Sequence, residues 1–284
     1  MSVGRVEMIS LGARGHDVVP GPTTPEELGA AAEQKGIRNI QLALGISFPQ
    51  WSSADQINLG LGSQIRRTLA RHGVEIAIMG CYYNMIHPDH AEREAGTKRF
   101  EAYLRCAHSF GCGIVASETG SVDPSFAYTE RNFTDDAFTQ AEQTIERLVR
   151  CAEHMGVIVA IEPGVNHPIH DVETSMRLAC LIDSDNLGFI LDPTALITPE
   201  LAPRQMDIVR DMLDALGSRI VATHLVDYRI DGGKIVRCNL GEGQLDAEGI
   251  ISAVSDRRPY SYVITEFTTG DALGRAVREY GATA

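Results

Sequence analysis

Three carboxylates and one imidazole close four successive apolar runs of the chain: Val157-Ile-Val-Ala-Ile-Glu162-Pro, Gly188-Phe-Ile-Leu-Asp192-Pro, Val221-Ala-Thr-His224-Leu-Val-Asp227 and Tyr262-Val-Ile-Thr-Glu266-Phe. A lone acid at the end of such a run is ordinarily a solvated cap. Four metal-capable side chains in phase with one repeat are a different signal. On neighbouring strands about 4.8 Å apart, side chains at one level can converge on a single ion. The set is mostly hard, so it suits Mn²⁺, Mg²⁺ or Co²⁺ better than the thiolate-rich sites that hold structural zinc. Removing a proton from a carbon next to a carbonyl requires the enediolate oxygens to be stabilised, which a Lewis acid does. One carboxylate can take that proton and a second, opposite, can return it.

These residues need elements to present them. The apolar β-type runs Val6–Leu11, Ile37–Leu44, Val74–Gly80, Gly113–Glu118, Val157–Glu162, Leu187–Asp192, Ile220–Leu225 and Ser261–Phe267 are short and nearly continuous in hydrophobicity, as strands buried on both faces should be. Amphipathic segments lie between them. Thr24-Pro25-Glu26-Glu27-Leu28 opens one with a cap, a proline and first-turn acids, and Gly36 closes it. Ser63–His72, Thr97–Phe110, Asp136–Met155, Val172–Ile182, Arg204–Leu216, Asp246–Val254 and Asp271–Tyr280 repeat the theme. Strict alternation implies a parallel sheet with right-handed crossovers. Eight units without a dinucleotide fingerprint predict an α/β fold, a single (β/α)8 TIM barrel spanning residues 1–284 as one domain. Gly60-Leu-Gly62 lacks a third glycine and reads as loop. In such a barrel the C-terminal strand ends form the active site, which is where the four candidate ligands fall.

Composition narrows the function. With 25 Lys+Arg against 38 Asp+Glu, the 284-residue chain carries a formal charge of −13 and has only the lysines Lys35, Lys98 and Lys234. That argues against nucleic acid as a partner and against a polybasic membrane patch. No apolar run approaches the ~20 residues a membrane span needs, and Met1-Ser-Val-Gly-Arg is not followed by a signal-like stretch. The six cysteines, without a CxxC pair, read as buried thiols of a reducing compartment. The expectation is a cytoplasmic protein that works on a small molecule.

The Ile161-Glu162-Pro, Leu191-Asp192-Pro, His224-Leu-Val-Asp227 and Gly241-Glu-Gly243 elements, with Glu266 closing the last strand, resemble the xylose-isomerase-like barrel superfamily. That group includes tagatose/psicose 3-epimerases, hydroxypyruvate isomerase, inosose dehydratases and endonuclease IV. The resemblance covers nearly the whole chain, most specifically residues 157–267. It implies that Glu162, Asp192, His224 and Glu266 ligate a divalent metal, commonly Mn²⁺, and that Glu162 and Glu266 act as an acid–base pair on either face of a keto-sugar. Many such epimerases carry a histidine three residues after the strand-six aspartate; this chain has Ala195. The charge sets aside the DNA-cleaving branch. The resemblance therefore implies a divalent-metal-dependent sugar isomerase or epimerase. The alternatives are a dehydratase or keto-glycoside-cleaving lyase on the same scaffold and, from another class, a non-catalytic sugar-binding or partner subunit. A homo-oligomer, dimer or tetramer, is the expected assembly, with a hetero-complex as the alternative.

Further candidates surround the four. Glu118, ending the fourth strand, could accept a sugar hydroxyl. Asn166, His167 and His170 follow the fifth strand and could touch substrate, against local hydrogen bonding as the plain alternative. Asp227 could orient His224, since metal-bound histidines usually need a partner, and Arg229 could reach a substrate oxygen. Asn84 and His87 could line the pocket. Trp51 could stack on a sugar or simply anchor its loop, and Glu242 more readily shapes a loop.

Overall fold

The computed structural model describes residues 8–281. Strands β1 (Ile9–Arg14), β2 (Asn39–Ala43), β3 (Glu75–Gly80), β4 (Ile114–Glu118), β5 (Ile158–Glu162), β6 (Leu187–Leu191), β7 (Ile220–Leu225) and β10 (Ser261–Thr265) pair in parallel and close into a barrel. Closure is made by β1 against β10, with Ile9 opposite Ser261 and Ala13 opposite Thr265. Strands β8 (Asp227–Asp231) and β9 (Lys234–Cys238) form a separate antiparallel hairpin.

Helices connect the strands and cover the barrel: α1 (Gly15–Val18), α2 (Pro25–Lys35), α3 (Leu44–Ser47), α4 (Leu59–Arg71), α5 (His90–Cys106), α6 (Asp135–Met155), α7 (Val172–Leu181), α8 (Gln205–Leu216), α9 (Ala247–Arg257) and α10 (Gly270–Tyr280). Local sequence explains their limits. Thr24 and Glu27 form a reciprocal capping box at the start of α2, with Pro25 in the first turn. Thr134 and Asp171 cap α6 and α7, each accepting from a backbone N–H of the first turn.

The core follows from strands covered on both sides. Every residue of β6 is buried, and Ile161, Phe189, Ile190, Leu191, Val263 and Ile264 are fully enclosed. Each such side chain contributes about 1.5–3 kcal/mol relative to exposure. This packing makes the strand ends a rigid frame for the polar groups they carry.

Several sequence expectations shift. The first strand, foreseen as Val6–Leu11, runs past Leu11 to Arg14, because Gly12 does not break it; Val6 lies outside the described residues. A side chain at Gly12 would meet the Asn39 carbonyl at 2.5 Å, so glycine lets β1 and β2 approach closely. The Gly60-Leu-Gly62 stretch is not loop but the first turn of α4, capped by Asn58. The segment foreseen as Thr97–Phe110 starts earlier, at His90 behind the Asp89 cap, and ends in a 3-10 turn, Ala107–Phe110. Of the six cysteines, Cys180 is exposed on α7 and only Cys81, Cys106 and Cys112 are buried. The β8–β9 hairpin was not foreseen. Its signal is Asp231-Gly-Gly-Lys234: Gly232 and Gly233 both take positive φ (55° and 73°), which a tight two-residue hairpin turn requires.

Candidate active site

Strand register sets the geometry. Glu118 pairs with Glu162, Leu191 with Thr223, Ile264 with His224, and Arg14 with Gln41, so the C-terminal ends of the strands present their polar residues at closely similar heights. Ligand atoms of Glu162, Asp192 and His224 lie within 4.8 Å of one another, and all three side chains are buried. His224 Nδ1 stands 3.2 Å from Glu162 Oε1 and 3.3 Å from Glu266 Oε1. Asp192 is fixed by two backbone donors, the N–H groups of Thr194 at 2.8 Å and Ala195 at 3.1 Å, both to Oδ1.

Glu266 adjoins this group and has two donors of its own. Arg14 Nη1 donates to Oε2 at 3.2 Å and Gln41 Nε2 donates to Oε1 at 3.1 Å. The compact trio is therefore Glu162, Asp192 and His224, with Glu266 touching it through His224. The ring of His224 is gripped on both edges, because Nε2 lies 2.9 Å from Gln41 Oε1.

Burying three carboxylates beside one imidazole is costly unless charge is compensated. Burial and the charge of Glu162 push Asp192 up to about 8. Burial alone would depress His224, but the charges of Glu266, Glu162 and Asp192 outweigh it and push the imidazole up to about 10. Burial also raises Glu266, reinforced by Glu162 and opposed by His224 and Arg14. Burial works to raise Glu162 as well, but the charge and hydrogen bond of His224 hold its carboxyl below the usual range. Without a cation, protons carry the compensation. A buried carboxylate–imidazole set with surplus negative charge is what a divalent cation fits, and the donors match one.

Arg14 ties the rim together. Its guanidinium forms two hydrogen bonds to Asp17, at 2.7 and 2.9 Å, and lies 3.9 Å from the centroid of the Phe267 ring. Asp17 Oδ2 also accepts the Phe267 backbone N–H at 2.9 Å. Phe267 has φ 55°, a left-handed conformation rarely taken by an aromatic residue, and this bond holds it there. The turn sends Glu266 inward and Phe267 to the mouth, where Arg237 from β9 reaches within 4.4 Å of the same ring.

Beside this cluster opens a cleft of about 480 Å³, lined among others by Glu118, Asn166, His167, Ala195, Arg237 and Phe267. That is a size for a small molecule. Of the residues proposed from sequence to contact substrate, Glu118, Asn166 and His167 lie here. His167 Nδ1 is 2.8 Å from the Gly120 carbonyl and its Nε2 is 3.8 Å from Glu118. Removal from solvent, then the charge of Glu162, raises the Glu118 carboxyl. Asn166 lines the wall, but its amide is engaged with Thr129, Asn132 and the Phe126 carbonyl.

The other candidates stand elsewhere. Asp227 does not orient His224; it accepts the backbone N–H groups of Tyr228, Gly241, Gly243 and Leu245 and so anchors the loop before α9. Arg229 is exposed and donates to the Glu242 carbonyl at 2.8 Å, outside the cleft. Asn84 bridges loops through Ser121 and Ile86, while His87 receives the Asp89 N–H. Both line a separate cleft of about 460 Å³ against α5, away from the ligand trio. Trp51 packs on Phe48 with ring centroids 5.9 Å apart, the anchoring role. His170 packs against Phe133 with ring centroids 4.5 Å apart, and Glu242 meets Arg229 and Arg275.

Sequence reasoning missed Arg14, Asp17, Gln41, Tyr82, Arg237 and Phe267. A signal existed for Gln41: an amide inside the apolar run Asn39-Ile-Gln-Leu-Ala43 is out of place in a buried strand unless a polar partner awaits it. Arg14 was hidden by ending the first strand too early.

The sequence over residues 28–279 matches the family described as xylose isomerase-like TIM barrel. No curated protein sequence matches the chain significantly. Among solved structures, the IolI protein with a bound zinc atom superposes with a TM-score of 0.70 at 15% identity, covering 96% of this chain and 95% of that one. The 3-keto-D-glucoside 4-epimerase YcjR from E. coli gives 0.72 at 14% identity, over 96% and 98% of the two chains. The probable 3-DHS dehydratase AsbF from Bacillus anthracis gives 0.73 at 14% identity, over 98% and 100%. At these identities the likeness is one of fold.

Proposed function

The chain belongs to the xylose isomerase-like TIM barrel family, and from that premise we propose that it is a divalent-metal-dependent isomerase or epimerase of a small keto-sugar. The observation that carries this reading is the buried Glu162–Asp192–His224 trio, with Glu266 3.3 Å from the His224 nitrogen that faces Glu162. Those residues would hold the cation, Mn²⁺ by the hardness of the set, with Zn²⁺ and Mg²⁺ as competitors. When bound it supplies Lewis-acid stabilisation of negative charge on the substrate's oxygens.

The chain's own residues do the rest. Glu162 and Glu266, on β5 and after β10, form the acid–base pair: one takes the proton from the carbon beside the carbonyl and the other returns one. Return to the opposite face of that carbon gives the epimer, and return to the neighbouring carbon gives the isomer. Arg14 and Gln41 fix the Glu266 carboxylate in place. Glu118 and His167 line the route to the cluster; with the His167 Nδ1–H given to the Gly120 carbonyl, its Nε2 and the Glu118 carboxylate are left to accept from sugar hydroxyls.

A second reading has its own observation. Ala195 lines the cleft at the position where the resemblance to the epimerases implies a histidine. The same proton abstraction followed by expulsion of a β-substituent makes a lyase. Incubating the manganese-loaded protein with fructose, tagatose, psicose and 3-keto-glucosides in D₂O separates these outcomes by NMR. Deuterium at the carbon beside the carbonyl with the skeleton retained is the expected result; loss of a leaving group favours the lyase, and no exchange with any of them counts against both.

A further inference from the structure

Gln41 lies wholly buried in β2 and connects three groups that come from three other strands or their ends. Its Oε1 is 2.9 Å from His224 Nε2, while its Nε2 is 2.8 Å from the Tyr82 hydroxyl and 3.1 Å from Glu266 Oε1. The orientation of the amide follows from Glu266: turned over, its carbonyl oxygen would face the Glu266 carboxylate, acceptor against acceptor. As placed, both amide hydrogens point to acceptors and the carbonyl receives a hydrogen.

We infer that Gln41 is the positioning residue of the metal centre: it accepts the His224 Nε2–H and thereby commits Nδ1, the nitrogen facing Glu162 and Glu266, to the cation. The inference rests on the metal reading above. Because Gln41 also donates to Glu266, one neutral side chain aligns the imidazole and the outer carboxylate together. A carboxylate there would serve the imidazole but repel Glu266; an amide serves both. Partners of metal-bound histidines that hold the second ring nitrogen are worth about 10- to 100-fold in metal affinity.

The test uses Zn²⁺ in competition with a chromophoric chelator, with far-UV circular dichroism to check folding, and long-range ¹H–¹⁵N spectra of the zinc-loaded protein. Gln41→Met, close in shape and without the amide, should bind zinc about 10- to 100-fold more weakly. Wild type should show His224 protonated at Nε2, and Gln41→Glu, which keeps the acceptor, should preserve that tautomer even if Gln41→Met fails to fold. A folded Gln41→Met that binds as tightly as wild type, or a wild-type His224 protonated at Nδ1, overturns the role of Gln41 alone. A wild type that takes up no zinc overturns the metal reading and this inference with it.

Discussion

Glu162 and Glu266 approach His224 Nδ1 at nearly the same distance, 3.2 and 3.3 Å, but their surroundings differ: Glu162 faces Asp192 and Glu266 faces Arg14 and Gln41. Two near-isosteric changes therefore test the acid–base pair. Glu162→Gln and Glu266→Gln should each lower turnover by about 10²–10⁴-fold, measured as solvent-deuterium exchange into substrate; unchanged exchange in both removes the assignment. Protonation gives a second check. With His224 pushed up to about 10 and Asp192 to about 8, the metal-free cluster carries protons at neutral pH that a cation must displace. Affinity should rise with pH below about 8, roughly tenfold per unit for each proton released, and calorimetry in buffers of different ionisation enthalpy should detect that release. The trio itself was legible in the sequence because each member ends a strand in phase. Gln41 and Arg14 were not, since their meaning comes from neighbours more than 180 positions away.

Elements decide which of the remaining polar residues reach the mouth. Asp227 looked like a partner for His224 from a spacing of three, but β7 ends at Leu225 and the chain turns into β8, which carries Asp227 away to the loop before α9. Four backbone donors converge on that carboxylate. Asp227→Ala should cost about 1.5–3 kcal/mol of stability, the range for hydrogen bonds to a charged group, while leaving metal affinity within twofold. Denaturant unfolding and chelator competition on the same variant report the two quantities separately. The hairpin also explains why Arg229 misses the cleft and Arg237 reaches it: alternate residues of β8 and β9 face opposite sides, and Arg237 stands on the side of Phe267. Strand and helix existence could be read from periodicity, whereas element bounds could not: β1 runs past Leu11 to Arg14, and α4 starts at Leu59 rather than Ser63.

At the scale of the whole molecule, the charge of −13 acquires a partly local meaning. Glu118, Glu162, Asp192 and Glu266 gather acid at the mouth of the barrel, and a metal that binds the folded state alone must stabilise it. At a free concentration 100 times its Kd, Mn²⁺ should add about 2.7 kcal/mol, visible as a Tm several degrees higher that a chelator reverses. No described helix is long and apolar enough to cross a membrane. The closed barrel was the most legible feature, because eight buried parallel strands leave the strongest trace in sequence.

Whether the acid–imidazole trio is a divalent-metal centre is decided by titrating chelator-treated protein with Mn²⁺ in a calorimeter. A metal centre there binds one equivalent in the wild type and none in Asp192→Ala at the same concentrations; no binding by the wild type, or full binding by Asp192→Ala, refutes it.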